Sequence, residues 1–452
     1  MLKLKSIVIV LFLFTACLPQ NKNKTATPVI PSAISDDALL DSVQKQTIKY
    51  FTEGAEPVSG MARERFHTDN DYPENDKNII TSGGSGFGVM SLIVAIERKF
   101  ISREEGLQRL EKIAHFLETA DRFHGAWPHW WNGETGKVKP FSKKDDGADL
   151  VETSYMLQGL LCVRQYFKDG NEKEKALAQR IDKLWKEVEF DWFRNGKNVL
   201  YWHWSPNYEW QMNLPVRGYN ECLIVYVLAV SSPTHGVPTE LYHEGWAESG
   251  KIKSLHTALG YQLKLRYRGN PLNGAPLFWS QYSYLGLDPR GLKDQYSDYW
   301  KENTNQTLIN YTWCVKNPKK FKGYGKNNWG LTASYSTNGY SAHTPDDEGD
   351  LGVISPTAAL SSFPYTPQES MAALKHWYYD MNDKLWGPFG FYDAFSETEN
   401  WYPVKYLAID QGPIPVMIEN YRSGLLWKLF MSCPEIKEGL KKLGFESPAL
   451  NK

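Results

Sequence analysis

The residues best suited to chemistry crowd into Asp145-Asp146-Gly147-Ala148-Asp149-Leu150-Val151-Glu152-Thr153-Ser154-Tyr155, where a polar loop turns into an apolar-periodic segment. Asp149 and Glu152 are three apart, so on a helix they share one face and feel each other's charge. Two partly buried carboxyls so placed do not both ionise freely, and a proton-donating acid at neutral pH needs that setting. The same acids would also suit a plain helix cap at the positive end of the helix dipole. Two more acids stand at loop-to-helix junctions: Glu221 in Gly218-Tyr219-Asn220-Glu221, and Asp410 in Ala408-Ile409-Asp410-Gln411-Gly412-Pro413. Singly, each reads as a cap. Together they offer the two carboxyl groups that glycosidic hydrolysis requires, one to protonate the leaving oxygen and one to handle water or the anomeric carbon.

The other polar clusters point to less. Asp346-Asp347-Glu348-Gly349-Asp350 has oxygens in alternation but lacks the spacing and final Glu of an EF-hand loop. A solvated turn or substrate-side loop is the expectation there, and neither a metal nor a cofactor is expected anywhere. His124, His129, His203 and His343 form no His-Glu-x-x-His motif, and His129 and His343 are expected to hydrogen-bond hydroxyls or acids. Ser82-Gly83-Gly84-Ser85-Gly86-Phe87-Gly88 lacks the Gly-Lys-Ser/Thr of a phosphate loop and the strand-plus-acid setting of a dinucleotide fingerprint, so its small residues are expected to let helices, or a helix and a ligand, approach closely.

These residues need a scaffold, and the periodicity supplies helices. Segments Asp36 to Thr52, Val89 to Phe100, Ser102 to Thr119 behind a Ser102/Glu105 capping box, Leu150 to Phe167 and Glu172 to Glu189 read as helical. So do Tyr219 to Val230, Lys251 to Leu265, Asn303 to Val315, Gln368 to Met381 with Thr366 as cap, and Pro413 to Phe430. Aromatic turns follow three of them, around Trp127-Pro128-His129-Trp130-Trp131, Tyr201-Trp202-His203-Trp204 and Trp386-Gly387-Pro388-Phe389. A repeated unit of helix, aromatic turn and helix suits an all-α double ring, a closed (α/α) toroid, with alternate loop-to-helix junctions gathered at one end. No low-complexity linker divides Asp36 from Lys452, so residues 36–452 are expected to form a single domain.

Composition narrows the partners. With 51 basic and 52 acidic side chains and a net charge of −1, the chain has no long-range field for nucleic acid or acidic lipid. Core packing accounts for most of its 17 Trp, 26 Tyr and 20 Phe but less well for the clusters in turn-rich, polar stretches, and aromatic rings also stack on the C–H faces of sugars. Residues 1–17 read as a lipoprotein signal: Lys3 and Lys5, an apolar run Ile7 to Phe14 too short to span a bilayer, and a lipobox ending at Cys17. Lipid on Cys17 would anchor the protein to a bacterial membrane, periplasmic or at the cell surface, with residues 18–35 as a tether. The remaining Cys162, Cys222, Cys314 and Cys433 lie far apart and are expected as buried thiols, with a pairing left open.

Longer strings carry a resemblance. Ser82–Gly88 (SGGSGFG), Trp329–Ser334 (WGLTAS), Ile354–Leu360 (ISPTAAL) with Pro364-Tyr365, and Asp410–Trp427 (DQGPIPVMIENYRSGLLW) resemble the putative glucoamylase, or glycoamylase-like, family, which overlaps the bacterial β-1,2-glucanases of glycoside hydrolase family 144. The likeness runs from about Ile48 to Phe430; a second proline, Pro415, departs from it. It implies an (α/α)6 barrel and inverting hydrolysis of β-1,2-glucan or sophoro-oligosaccharides, with Asp149, Glu152, Glu221 and Asp410 as the cleft acids. On that reading Arg65, His129, Trp130, Tyr219, Trp329, His343 and Gln411 would position sugars, and a monomer is expected. The alternatives are a glucoamylase-type α-glucan hydrolase, a non-catalytic glycan-binding lipoprotein, and a lyase or epimerase on the same barrel.

Overall fold

Among the described residues, helices alternate between an inner and an outer ring. In a computed structural model, residues 34–269 and 272–451 are described, apart from the side chains of 74 and 75; Cys17 and the signal, with nearly all of the tether, lie outside them. The first six helices are α1 (Asp36–Thr52), α2 (Ser82–Glu97), α3 (Arg103–Thr119), α4 (Leu150–Phe167), α5 (Glu172–Lys186) and α6 (Leu223–Ser231). After a π-helical turn at Leu241–Trp246 and 3₁₀ turns at Leu277–Ser280 and Tyr282–Tyr284 come α7 (Tyr299–Lys316), α8 (Pro356–Leu360) and α9 (Pro367–Lys375). The chain closes with α10 (Asn382–Leu385), α11 (Ala408–Gln411), α12 (Pro413–Arg422), α13 (Leu425–Met431) and α14 (Pro434–Lys442).

Inner helices are apolar all round because both faces meet protein. Every described side chain of α6 is buried, and α2 is buried from Ser82 to Ile96. Outer helices are amphipathic: α5 buries Leu177, Ala178, Ile181, Leu184 and Trp185 and leaves its lysines outside. Helix α2 packs on α4 and α12, α4 on α6, and α12 on α8. Gln281 Nε2, from the 3₁₀ segment between α6 and α8, donates to the carbonyl of Ala358 and so ties in the shortest part of the ring. This is an (α/α)6 barrel.

The close approach of α2 and α4 explains the glycine string. A Cβ on Gly86 would meet the backbone of Tyr155 and Met156, and one on Gly159 would meet the Gly86 carbonyl. Helix α2 therefore begins at Ser82, earlier than Val89, and takes the glycines into its first turns.

Several expected elements differ. The helix expected at Lys251 to Leu265 is a hairpin, Lys253–Ala258 paired with Tyr261–Leu265. Leu259 and Gly260 both take positive φ, 49° and 96°, the turn geometry that matches strand twist, and Tyr261, Leu263 and Leu265 supply the alternation. Thr366 makes no capping bond; its hydroxyl turns back to the Ser362 carbonyl. The segment from Pro413 breaks into α12 and α13 at Gly424, where φ is 69°. Helix α6 begins at Leu223, leaving Tyr219 to Glu221 in the loop before it. All four described cysteines are free and buried.

Candidate active site

The stretch from Asp145 to Tyr155 builds the floor of the site. Ala148 and Asp149 form a short antiparallel ladder with His203 and Trp204, and the chain then turns into α4. Asp149 is the N-cap: its Oδ1 accepts from the amides of Val151 and Glu152, both at 2.9 Å. Its Oδ2 faces three more N–H groups, His129 Nδ1 at 3.1 Å, Trp202 Nε1 at 3.2 Å and His203 Nε2 at 3.5 Å. Burial opposes the charge on Asp149, but hydrogen bonds from His129 and His203 outweigh it and hold the carboxyl well below the usual range. Burial likewise opposes charge on His129, and Glu152, Asp149 and Asp145 together push it up to about 10. Asp149 is thus a fully buried anion beneath the cleft that clamps His129 and Trp202.

One turn further along α4, Glu152 reaches the cleft. Its Oε2 accepts the Gly83 amide at 2.7 Å, at the first turn of α2, which the missing Gly83 side chain leaves room for. Burial pushes this carboxyl up to about 7, with the charge of Asp149 adding and that of His129 opposing. Glu221 enters from the loop before α6. Burial pushes it to about 7 as well, and its Oε2 is buried with no hydrogen-bond donor.

Glu152 and Glu221 line one cavity of about 360 Å³, together with Glu64, Arg65, His129 and Trp130. Its walls are aromatic: Phe141, Tyr155, Trp202, Phe278, Tyr282, Tyr335 and Tyr340. Arg65 lies over the Trp130 ring at 5.4 Å, and Phe141 stacks on His129 with centroids 4.3 Å apart. Phe141 and Tyr340 stand at the mouth, 51% and 57% exposed. Such rings match the flat faces of pyranosides, and the carboxyls and Arg65 match hydroxyls.

Asp410 sits behind the wall. It is fully buried on α11, and the Tyr282 hydroxyl donates to its Oδ1 at 3.4 Å. Burial first, and Asp393 beside it second, push its carboxyl well above the usual range.

Four residues expected to touch sugar stand elsewhere. Tyr219 is buried with its hydroxyl bonded to Asn303 at 2.8 Å and to Tyr284 at 3.1 Å, one member of an interior tyrosine cluster. Trp329 is buried in a hydrophobic cluster with Leu331, Phe363 and Trp377, and donates from Nε1 to the Glu369 carbonyl. Gln411 points inward and donates to the Phe391 carbonyl. His343 is 1% exposed, neither ring nitrogen has a partner, and burial pulls it down to about 4. The Asp346–Asp350 stretch is a self-capped turn: Asp346 accepts from Thr344, Glu348 and Gly349, while Asp350 anchors Trp313 and Tyr324. His129, Asp145 and Asp149 come within 4.8 Å of one another, close enough to share a metal ion, but the three N–H groups on Asp149 Oδ2 already satisfy that atom.

Sequence reasoning passed over Glu64, Phe141, Tyr282, Tyr335 and Tyr340. Glu64 reaches the cleft because Arg65 to His67 pair with Lys405 to Leu407, a contact of more than 300 residues' separation that no local signal carries. Phe141 had a signal, an apolar ring in an otherwise polar loop.

Near-neutral carboxyls on an aromatic-walled cleft at the end of a double helical ring define a glycosidase-type site. The profile of the putative glucoamylase family matches residues 213–434, and the chain belongs to that family. It is similar to an endo-β-1,2-glucanase from Chitinophaga pinensis, solved with sophorotriose and glucose: 70% identity over 92% of this chain and 100% of that one, with a TM-score of 0.92. A putative glucoamylase from Bacteroides caccae is 62% identical over 91% of this chain and all of its own, with a TM-score of 0.90. An exo β-1,2-glucooligosaccharide sophorohydrolase (non-reducing end) from Parabacteroides distasonis is 45% identical over 91% of this chain, which spans 58% of that relative's length.

Proposed function

We propose that the protein is a glycoside hydrolase that cleaves β-1,2-linked glucan or sophoro-oligosaccharides with inversion at the anomeric carbon. The observation that carries this is Glu221: a carboxyl facing the cleft, pushed up to about 7, whose buried Oε2 has no donor and so is free to carry the proton that the leaving oxygen needs. Glu152 sits across the same cavity, held by the Gly83 amide, and with His129 and Arg65 orients hydroxyl groups of the sugar. The β-1,2 linkage is the one in the names of the relatives from C. pinensis and P. distasonis.

The test is product analysis on linear β-1,2-glucan beside soluble starch. Sophorose or short sophoro-oligosaccharides are the expected products. Glucose from starch alone would assign the glucoamylase activity instead, and binding without turnover would leave a glycan-binding protein. Anchoring through Cys17 to a periplasmic or surface membrane completes the proposal; Cys17→Ala should move the protein from the membrane to the soluble fraction.

A further inference from the structure

Behind the cleft, two carboxyls are packed against each other. Asp393 closes the aromatic turn after α10, and its backbone is fixed on both sides: its amide donates to the Lys405 carbonyl at 2.9 Å and its carbonyl accepts from Ser355 at 2.6 Å. Its Oδ2 accepts the Tyr335 amide at 2.8 Å. The Asp393 and Asp410 carboxyls are close enough to govern each other's titration, and both residues are at most 2% exposed. Asp393 Oδ1 and Asp410 Oδ2 are buried and accept no hydrogen bond.

An ionised carboxylate only accepts hydrogen bonds, so two of them in contact without a donor require a proton between them. The Tyr335 amide favours the negative charge on Asp393, which leaves the proton on Asp410. The neighbouring groups do not offset that arrangement. Glu64 is the next charge felt by both acids, Glu152 and Tyr340 lie around Tyr282, and the cations Arg65 and Lys405 act on Tyr335 rather than on the pair. Two residues that line the cavity reach the pair: Tyr335 through its backbone amide on Asp393, and Tyr282 through its hydroxyl, which donates to Asp410 Oδ1 and is the side-chain group able to pass a proton.

We propose that Asp393 is a positioning residue for the hydrolysis: it shares a single proton with Asp410, and the pair takes up, through Tyr282, the proton released by the attacking water. This rests on the glycosidase reading of the same cleft. As Glu221 gives its proton to the glycosidic oxygen, the bond from the anomeric carbon to that oxygen breaks and a bond to water forms. The water's O–H proton passes to the Tyr282 oxygen, the Tyr282 proton passes to Asp410 Oδ1, and the proton already on Asp410 passes to Asp393. Ordinary proton exchange with solvent restores Glu221 and empties the pair. Burial places Asp393 at about 6, so the pair fills below that pH and loses its capacity to accept.

The experiment compares the full-length protein with Asp393→Asn and Tyr282→Phe. It reads kcat and KM on linear β-1,2-glucan against pH, and the protonated-carboxyl infrared band of the free proteins at neutral pH. Expected are a kcat loss of roughly 100-fold in both variants with KM within about twofold, removal of the acid limb near pH 6 in Asp393→Asn, and one carboxyl equivalent missing from its infrared band. Tyr282→Phe keeps the band, because the pair is intact behind it. An unchanged band in Asp393→Asn, or a wild-type kcat in Tyr282→Phe, overturns the proposal. An acid limb that persists in Asp393→Asn while kcat and KM deteriorate together also overturns it, since that pattern is a loss of structure. The infrared reading needs no substrate, so it separates a wrong proton pair from a wrong choice of glucan.

Discussion

Glu221 and Glu152 look alike in composition and in their displacement toward neutral pH, and they differ in what touches them. Glu152 is held by an amide and lies near a charged His129, whereas the buried Glu221 Oε2 accepts no hydrogen bond. Replacing Glu221 by Gln should therefore lower kcat on β-1,2-glucan by at least about 100-fold with KM little changed, measured by reducing-end release. Because the proton donor titrates near 7, wild-type kcat should fall above that pH. The same group sets a stability trend. A carboxyl whose pKa is raised by folding contributes no penalty below its unfolded value of roughly 4.3, and stability is lost as pH rises through about 7. Glutamine carries no charge, so Glu221→Gln should melt higher than wild type at pH 8, with the gap closing toward pH 5. The opening acid stretch was legible because Asp149 and Glu152 are neighbours in sequence. Glu64 and Tyr282 at the cleft and Asp393 behind it were not, because only tertiary pairing brings them there.

Among the elements, the contact between α2 and α4 positions most of the chemistry. It depends on Gly83, Gly86 and Gly159 having no side chains. A Cβ at Gly83 would collide with Glu152 Oε2, so Gly83→Ala should displace that carboxyl and cut activity, with a smaller effect on stability. Gly159→Ala would press on the α2 backbone, which does not yield as a flexible side chain would, and should cost about 1–3 kcal/mol by urea unfolding. The long inner and outer helices could be read from apolar periodicity, and Ser102 caps α3 by accepting from the Glu105 amide, while the Glu105 side chain turns to Arg109 and leaves the expected box half made. The hairpin at Lys253–Leu265 was misread because its apolar residues also fit a helical stripe, and the decisive Leu259-Gly260 turn is brief. Tyr219 and Trp329 show the limit of composition: an aromatic ring beside a loop reads as sugar-binding until its burial is known.

At the scale of the whole molecule, the double ring brings acids from the start, middle and end of the chain to one cavity. Glu64, Glu152 and Glu221 line it, and Asp410 stands one side chain behind. The ring was legible as alternation of helices and aromatic turns, while the closure, made partly of 3₁₀ and π turns, gave no periodic signal. The central claim is that Glu221 protonates the leaving oxygen while water attacks from the opposite face. The measurement that tests it most directly is an NMR time course of the first anomer released from linear β-1,2-glucan. Inversion predicts that the new reducing end appears as α and then equilibrates, with no signal from Glu221→Gln on the same timescale. A β-anomer appearing first would contradict the account, because it would require a covalent glycosyl-enzyme intermediate and a different role for the two glutamates.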